Sequence, residues 1–474
     1  MLRMTRLLAG ATVAGALAVA SVGFAATADA TPVPTPEWAD LKAGTIVTAM
    51  AATDPGVVYT VSSKTGAVTK ITDGVADSTW GSAGSMVSPQ DMIALPDGTV
   101  VTANGKAGTL THFDTDGNAV SIKLEVSAEA QSLAYLDGFV YVADYANKLI
   151  SKVDPVANAV TEASFAKVSA SPIRITTDGT SLYVQNGQEI SKIEKDKSTA
   201  QSFIALPMGS LIGSIVATST GSVVAADGND PPGLIVYSSD GKTSKKITTT
   251  TYVNGLAIDS HDNVYGSYTN SNQVVMLPFG SSSLSTLTTL VSKNAVKPVA
   301  ISVSDNGVLY TAGYETGLVS AVPLLATISS APLSASVPVD TFFTSTITTV
   351  GGADPVTLRA TALPPGMELS GGVLSGRPTT PGTYTFDIVA VTPAGESAAQ
   401  AQTIVVTPAV APPTPGPTSS NGGSSNTGAT GSGGSGRATL ASTGADIAPL
   451  GLAAGLFLLG AAITLGALVK RRDA

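Results

Sequence analysis

One unit recurs along the chain from about residue 45 to 325, and this repetition constrains the fold more than any other feature. Each copy holds an apolar strand, a tight polar turn, a second strand ending in a small or polar residue, a short loop and an alternating third strand. The second strands align as Val57–Ser62, Thr99–Asn104, Phe139–Asp144, Ser181–Asn186, Ser222–Asp227, Asn263–Tyr268 and Val308–Gly313. The turn residues ahead of them, Gly56, Gly98, Gly138, Gly179, Gly221, Asn263 and Gly307, lie 40 to 44 residues apart. A period near 40 with several short strands is the signature of propeller blades, each a four-stranded sheet stacked face to face on its neighbours. Seven copies predict an all-β body of about seven blades, and six or eight are also compatible with the spacing. The seventh copy is one strand short. Segment 31–44 is expected to supply the missing outer strand and close the ring, which removes exposed edges.

The copies, such as Leu133-Ala-Tyr-Leu-Asp-Gly-Phe-Val-Tyr-Val-Ala-Asp144, resemble the NHL and YncE-like propellers. The resemblance implies a propeller over 45–325 and leaves activity open, because such propellers host many functions. Streptogramin lyase is an enzyme on a similar propeller and uses histidine. Neither histidine here aligns with its site, so the resemblance carries no activity over.

Beyond the repeats the pattern changes. Leu363-Pro-Pro-Gly-Met-Glu-Leu-Ser-Gly-Gly-Val-Leu-Ser-Gly-Arg-Pro378 precedes Pro381-Gly-Thr-Tyr-Thr-Phe-Asp-Ile-Val-Ala-Val391. This run is similar to the Ig-like domains of bacterial surface proteins. Tyr384, Phe386, Ile388 and Ala390 alternate at the period of a strand with one buried face. Residues 326–406 therefore suit a small Ig-like β-sandwich, expected to act as a stiff spacer, with a sugar- or adhesin-binding module as the alternative. Residues 407–439 are mostly Pro, Thr, Ser, Gly and Asn and carry one charge, Arg437. Such a stretch buries too little apolar surface to order itself and reads as a disordered linker.

The ends carry targeting patterns. Arg3 and Arg6 precede an apolar run from Leu7 to Phe24 and the small residues of Ala28-Asp29-Ala30. Residues 1–30 thus read as a signal peptide, cleaved between Ala30 and Thr31, or alternatively after Ala28. Near the other end, Leu440-Ala441-Ser442-Thr443-Gly444 precedes an uncharged segment, 447–469, and the basic tail 470–474. As a helix, 447–469 is about 35 Å long and spans a bilayer, with its cations on the cytoplasmic side. This order resembles the LPxTG cell-wall sorting signal of Gram-positive surface proteins, in an LAxTG form set by Ala441. The resemblance implies that a sortase cysteine attacks the Thr443 carbonyl, releases Gly444 onward and passes Thr443 to a peptidoglycan amine. The expected location is extracellular and wall-anchored, with membrane association only through the C-terminal transmembrane helix.

Composition removes several chemistries. The chain has no cysteine, so thiol nucleophiles, Cys-zinc sites, Fe–S clusters and a lipobox are excluded. Two histidines cannot build a multi-His metal site. A net charge of −9 disfavours nucleic acid, whose binding needs phosphate neutralisation. His112 lies in a third strand and reads as structural, and His261 reads as a turn residue. Asp114-Thr-Asp-Gly117 and Asp227-Gly-Asn-Asp230 offer clustered oxygens of the kind calcium takes. Both, however, lie where turns call for Asp, Asn and Gly. No cofactor, metal or catalytic residue is assigned.

Binding is better supported. In a propeller, the loops joining second to third strands and those joining blades open on one face around the channel. There the sequence places Asn104, Asp144, Tyr145, Asn186, Asp227, Tyr268 and Tyr314, and the starts of first strands add Gln90, Gln131 and Asn254. Tyrosines among amides and carboxylates suit sugars or peptides. The expected partners are a sortase, peptidoglycan and a glycan or protein ligand of a non-enzymatic propeller. An extracellular propeller lyase or hydrolase and a purely structural wall protein are the alternatives.

Overall fold

A computed structural model of the chain describes residues 35–409, except 43, 54–55, 82–85, 291–295 and 306. The signal segment with its Ala30–Thr31 junction, the linker beyond residue 409, the Leu440–Gly444 motif, segment 447–469 and the tail lie outside the described residues. Among the described residues, no helix is long and apolar enough to cross a membrane.

Residues 35–323 form seven four-stranded antiparallel sheets, numbered here in chain order by their first strands. Those strands are Val47–Ala52, Asp91–Ala94, Ala130–Leu136, Pro172–Thr177, Ile212–Ala217, Leu256–Ile258 and Pro298–Val303. Each touches the first strand of the next sheet, and the last touches Val47–Ala52, so the cycle closes. A ring of radial sheets stacked face to face is a β-propeller.

The side chains explain the stacking. Along Phe139–Asp144 of sheet 3, Val140 and Val142 pack toward sheet 2, while Tyr141 and Ala143 pack toward sheet 4. Alternation at period two thus puts apolar groups on both faces. Seven such clusters fill the seven gaps between sheets. A sheet apolar on both faces cannot be left without a neighbour, so the ring has to close.

Closure comes from the N-terminal segment. Thr35–Asp40 pairs antiparallel with Leu318–Pro323 and completes sheet 7 as its fourth strand. Trp38 packs on Tyr310, with ring centroids 5.0 Å apart. Sheet 1 also grips this strand. Gly74, at φ +81°, turns so tightly against it that a Cβ there would sit 2.5 Å from the Trp38 carbonyl oxygen.

The turns before the second strands of sheets 2 and 4 share one device. Asp97 Oδ1 accepts from the Thr99 amide and hydroxyl, and Asp178 Oδ1 does the same with Thr180. In sheets 4 and 6 the turn carboxylate also accepts from a buried tyrosine: Tyr183 to Asp178 at 2.9 Å and Tyr265 to Asp259 at 2.8 Å. Burial, reinforced by these carboxylates, pushes both phenols far above their ordinary range.

After sheet 7 the chain enters a sandwich of two main sheets. One holds Ser334–Pro338, Gln400–Thr407, Gly382–Thr392 and Thr357–Ala360 in that order, and the other holds Phe343–Thr346, Val373–Gly376 and Met367–Ser370. Phe386, Ile388 and Ala390 are buried, matching the alternation in the sequence. Thr407 still belongs to the last strand, one residue beyond the expected end of the domain. The sandwich is joined to the propeller rather than hung from it. Ala353 and Ala394 complete the cluster between sheets 6 and 7, and the Ala353 amide donates to Leu324 O at 2.9 Å. Asn263 Nδ2 donates to Pro393 O at 2.9 Å, and His261 lies against Gly395. Both sequence alternatives for this domain leave such a joint unforeseen.

Because closure depends on one short strand, Trp38→Ala should lower stability by about 2–3 kcal/mol, somewhat less than the ~3–5 kcal/mol of a fully buried tryptophan. Urea denaturation followed by far-UV circular dichroism measures this. A shift under about 0.5 kcal/mol would show that the latch contributes little.

Candidate functional site

The first strands begin at the centre of the ring, and five of them share a local irregularity. Register shifts fall between Val47 and Ala49, Ala130 and Ser132, Pro172 and Arg174, Ile212 and Ser214, and Pro298 and Ala300. A β-bulge leaves one residue without a ladder partner and re-aims the side chains around it. Here the unpaired residues are Thr48, Gln131, Ile173, Gly213 and Val299.

These starts enclose a central cavity of about 270 Å³. All seven sheets contribute to its lining, and the polar groups on it include Thr48, Gln90, Asp91, Ser132, Arg174 and Asn254. Among the described residues, Asp91 and Arg174 are its only charged ones. Gly213 and Asn254 are exposed at the mouth, Asp91 and Arg174 are half-buried, and Ser132 is buried.

Hydrogen bonds link successive sheets around this cavity. Asp91 Oδ2 of sheet 2 accepts from Ser132 Oγ and the Leu133 amide of sheet 3, each at 2.8 Å. Its Oδ1 accepts from the Met92 amide at 2.8 Å. Ser132 Oγ in turn accepts from the Ile175 amide of sheet 4 at 3.3 Å. Arg174 Nε donates to Gly213 O of sheet 5 at 3.0 Å, and Nη1 donates to Ile173 O at 3.1 Å. Desolvation pushes the Asp91 carboxyl above the ordinary carboxylate range, although these donors and the Arg174 charge pull the other way. Thr48 Oγ1 is buried and has no hydrogen-bond partner among the described residues.

The residues singled out from the sequence divide into three groups. Gln90 and Asn254 line the cavity. Gln90 Nε2 is held by Ser88, and Asn254 Nδ2 donates to Thr269 Oγ1 at 2.7 Å. Tyr145 and Tyr314 are 40% and 43% exposed in loops between second and third strands, and Gln131 is a half-buried bulge residue bonded to Glu129. The remaining five are buried and correct the expectation of a ligand-facing ring. Asn104 bonds Thr109 and Thr111, and Asn186 bonds Ser169. Asp144 accepts from Glu129 N and from the Asn147 amide and side chain. Asp227 pairs with Lys246 at 2.8 Å, and Tyr268 packs between sheets 5 and 6. Their polar groups are satisfied by neighbouring protein groups, as burial requires.

Sequence reasoning missed Thr48, Asp91, Ser132 and Arg174. Their one signal was position: each lies at the start of a first strand, beside Gln90, Gln131 or their equivalents. Neither histidine lines the cavity. His112 Nδ1 bonds Asn158 Oδ1 at 2.7 Å, linking sheets 2 and 3, and His261 occupies its turn. The oxygens of Asp114 are taken by Asp116 N and by the Asn118 amide and side chain. Among the described residues, no group of three or more acidic or histidine side chains could hold a metal ion.

Residues 322–407 match the family model described as "Putative Ig domain". No curated protein matches the chain. Virginiamycin B lyase from Staphylococcus aureus is similar in structure at 14% identity and a TM-score of 0.51, over 60% of this chain and 98% of that one. A catalytically inactive histidine-to-alanine variant of it, crystallised with quinupristin, matches at the same identity and TM-score over 60% and 97%. Hydrazine synthase of Kuenenia stuttgartiensis matches at 13% identity and a TM-score of 0.50, over 60% and 97%. At these identities the likeness shows the fold, a β-propeller, and nothing of the chemistry.

The desolvated carboxyl sets a testable pH response. A raised native pKa means the folded state binds this proton more tightly than the unfolded state. Stability from Asp91 is therefore present below the ordinary carboxylate range and is lost as pH rises through the raised value. A site-resolved NMR titration should give Asp91 a midpoint above the ordinary carboxylate value, and a midpoint at or below it would contradict this reading. Asp91→Ala, which strands Ser132 Oγ and the Leu133 amide, should cost about 2–3 kcal/mol in chemical denaturation.

Proposed function

We propose that this chain is an exported protein, sorted to a Gram-positive cell wall, whose propeller binds a polar ligand at its central channel. The seven sheets are read as the complete set of blades of one closed ring. The observation that carries the binding reading is the cavity. Residues from every sheet converge there, and among the described residues it combines one cation, one desolvated carboxyl and two side-chain amides. Few, convergent polar groups in a preformed concavity are what small-ligand sites look like. Tyr145 and Tyr314, exposed in the loops between second and third strands, extend the binding face. The export and anchoring parts rest on the signal pattern ending at Ala30 and on Leu440–Gly444 ahead of an apolar span and Lys470-Arg471-Arg472.

A second reading, a lyase or hydrolase on the same channel, is favoured by one observation, the raised Asp91 carboxyl beside Arg174. Among the described residues, no histidine and no second carboxylate line the cavity to serve as its partner base. Incubating the protein with quinupristin and following its loss by chromatography separates the two readings. Binding without turnover favours the first, and turnover abolished by Asp91→Asn favours the second.

Two outcomes test the leading reading. Thr443→Ala should hold the protein in the membrane fraction, whereas the wild type is released into the wall fraction by peptidoglycan hydrolase. An unchanged distribution would refute sorting. On a glycan and peptide array, Asn254→Ala should weaken the strongest wild-type signal at least severalfold. Retention of every signal would remove the channel from the binding face.

A further inference from the structure

Within the cavity, the hydrogen-bonding capacity left over is unequal. The Asp91 carboxylate already accepts three donors from the protein, from Ser132, Leu133 and Met92. It is structural, tying sheet 2 to sheet 3, and has little left to offer a solute. Arg174 is the reverse case. A guanidinium carries five N–H donors, and two of them meet main-chain carbonyls, Gly213 O and Ile173 O. Among the described residues it has no carboxylate in direct ion-pair contact. The two carbonyl bonds fix the group in place, and Arg174 lines the cavity. A fixed guanidinium with spare donors is a preorganised site for a carboxylate, which it can engage through paired charge-assisted bonds.

The neighbouring groups have the opposite need. The Gln90 amide nitrogen is committed to Ser88, and that of Asn254 to Thr269, so each leaves a carbonyl oxygen for a ligand. These groups suit ligand hydroxyls. The volume of about 270 Å³ equals roughly nine waters at ~30 Å³ each, room for one sugar-sized solute.

Resting on the channel-binding reading above, we propose that the cavity takes a small polyhydroxylated carboxylate, the chemistry of a sugar acid. Its carboxylate sits on Arg174, and its hydroxyls meet Gln90 and Asn254. Arg174 selects the acid over the neutral sugar, and the mouth residue Asn254 contributes to both.

Isothermal titration calorimetry of the full-length protein with D-glucuronate and D-glucose tests this. Glucuronate should bind at least tenfold more tightly than glucose. Arg174→Gln should abolish that difference, and Arg174→Lys should retain part of it, because a lysine keeps the charge and loses the fork. Equal affinity for both sugars, unchanged by Arg174→Gln, overturns the carboxylate assignment and leaves channel binding standing. If neither sugar binds and the array signals do not depend on Asn254, both readings fall. Should Arg174→Gln fail to fold, Asn254→Ala at the exposed mouth decides: unchanged glucuronate affinity in that variant overturns the assignment.

Discussion

The structure depends on packing that is apolar on both faces of every sheet. A sheet buried on one side can end at solvent, but one buried on two sides needs a neighbour on each. Strand Phe139–Asp144 shows this directly, since its odd and even side chains enter different inter-sheet clusters. With every gap filled in this way, an open arc would expose two full apolar faces. The ring closes instead, and the chain recruits Thr35–Asp40, nearly 280 residues from its partner strand Leu318–Pro323, to complete the last sheet. In a protein without cysteine, this pairing and the Trp38–Tyr310 contact take the place that a covalent clasp often occupies.

Closure also produces the central cavity. Seven first strands meeting at an axis bring their backbones close, and bulges at five of them relieve the ladder there. The side chains that remain must satisfy one another across sheets. The chain of bonds from Asp91 through Ser132 to the Ile175 amide, with Arg174 reaching Gly213, is therefore both a staple and a polar lining. On the proposed binding reading, function and stability draw on neighbouring residues at this place. Asp91 serves the staple, while Arg174 and the amides keep donors and acceptors in reserve.

Much of the fold was legible in the sequence because it depends on local chemistry. Gly98, Gly138, Gly179, Gly221 and Gly307 adopt positive φ at the turns, so their spacing marks the repeat. The need for an outer strand from segment 31–44 followed from counting strands in the seventh copy. The candidate site was legible only in part. Asp144, Asn186 and Asp227 have the composition of binding residues, yet each is buried and its polar group is taken by neighbouring protein groups, Asn147, Ser169 and Lys246. A polar residue ending a strand serves a tight turn first, and composition alone does not reveal which way it points. Ser132 and Arg174 were hidden for another reason. A bulge changes strand parity by one, and nothing in Ala130-Gln131-Ser132 or Pro172-Ile173-Arg174 announces it.

The joint between propeller and sandwich has a mechanical consequence. Pro393 and Gly395 lie at the propeller end of the sandwich, against Asn263 and His261, whereas Thr407 lies at the other end, beside Gly382 and Val339. The sandwich's first strand, Ser334–Pro338, and its last, Gln400–Thr407, run parallel and in register, with Ser334 opposite Thr403 and Pro338 opposite Thr407. Tension applied between the propeller and Thr407 pulls these two strands in opposite directions along their own axes. Their hydrogen bonds then share the force in shear and must break together, instead of opening one after another as in a zipper. A domain of this kind resists extension best along the line from the propeller to Thr407.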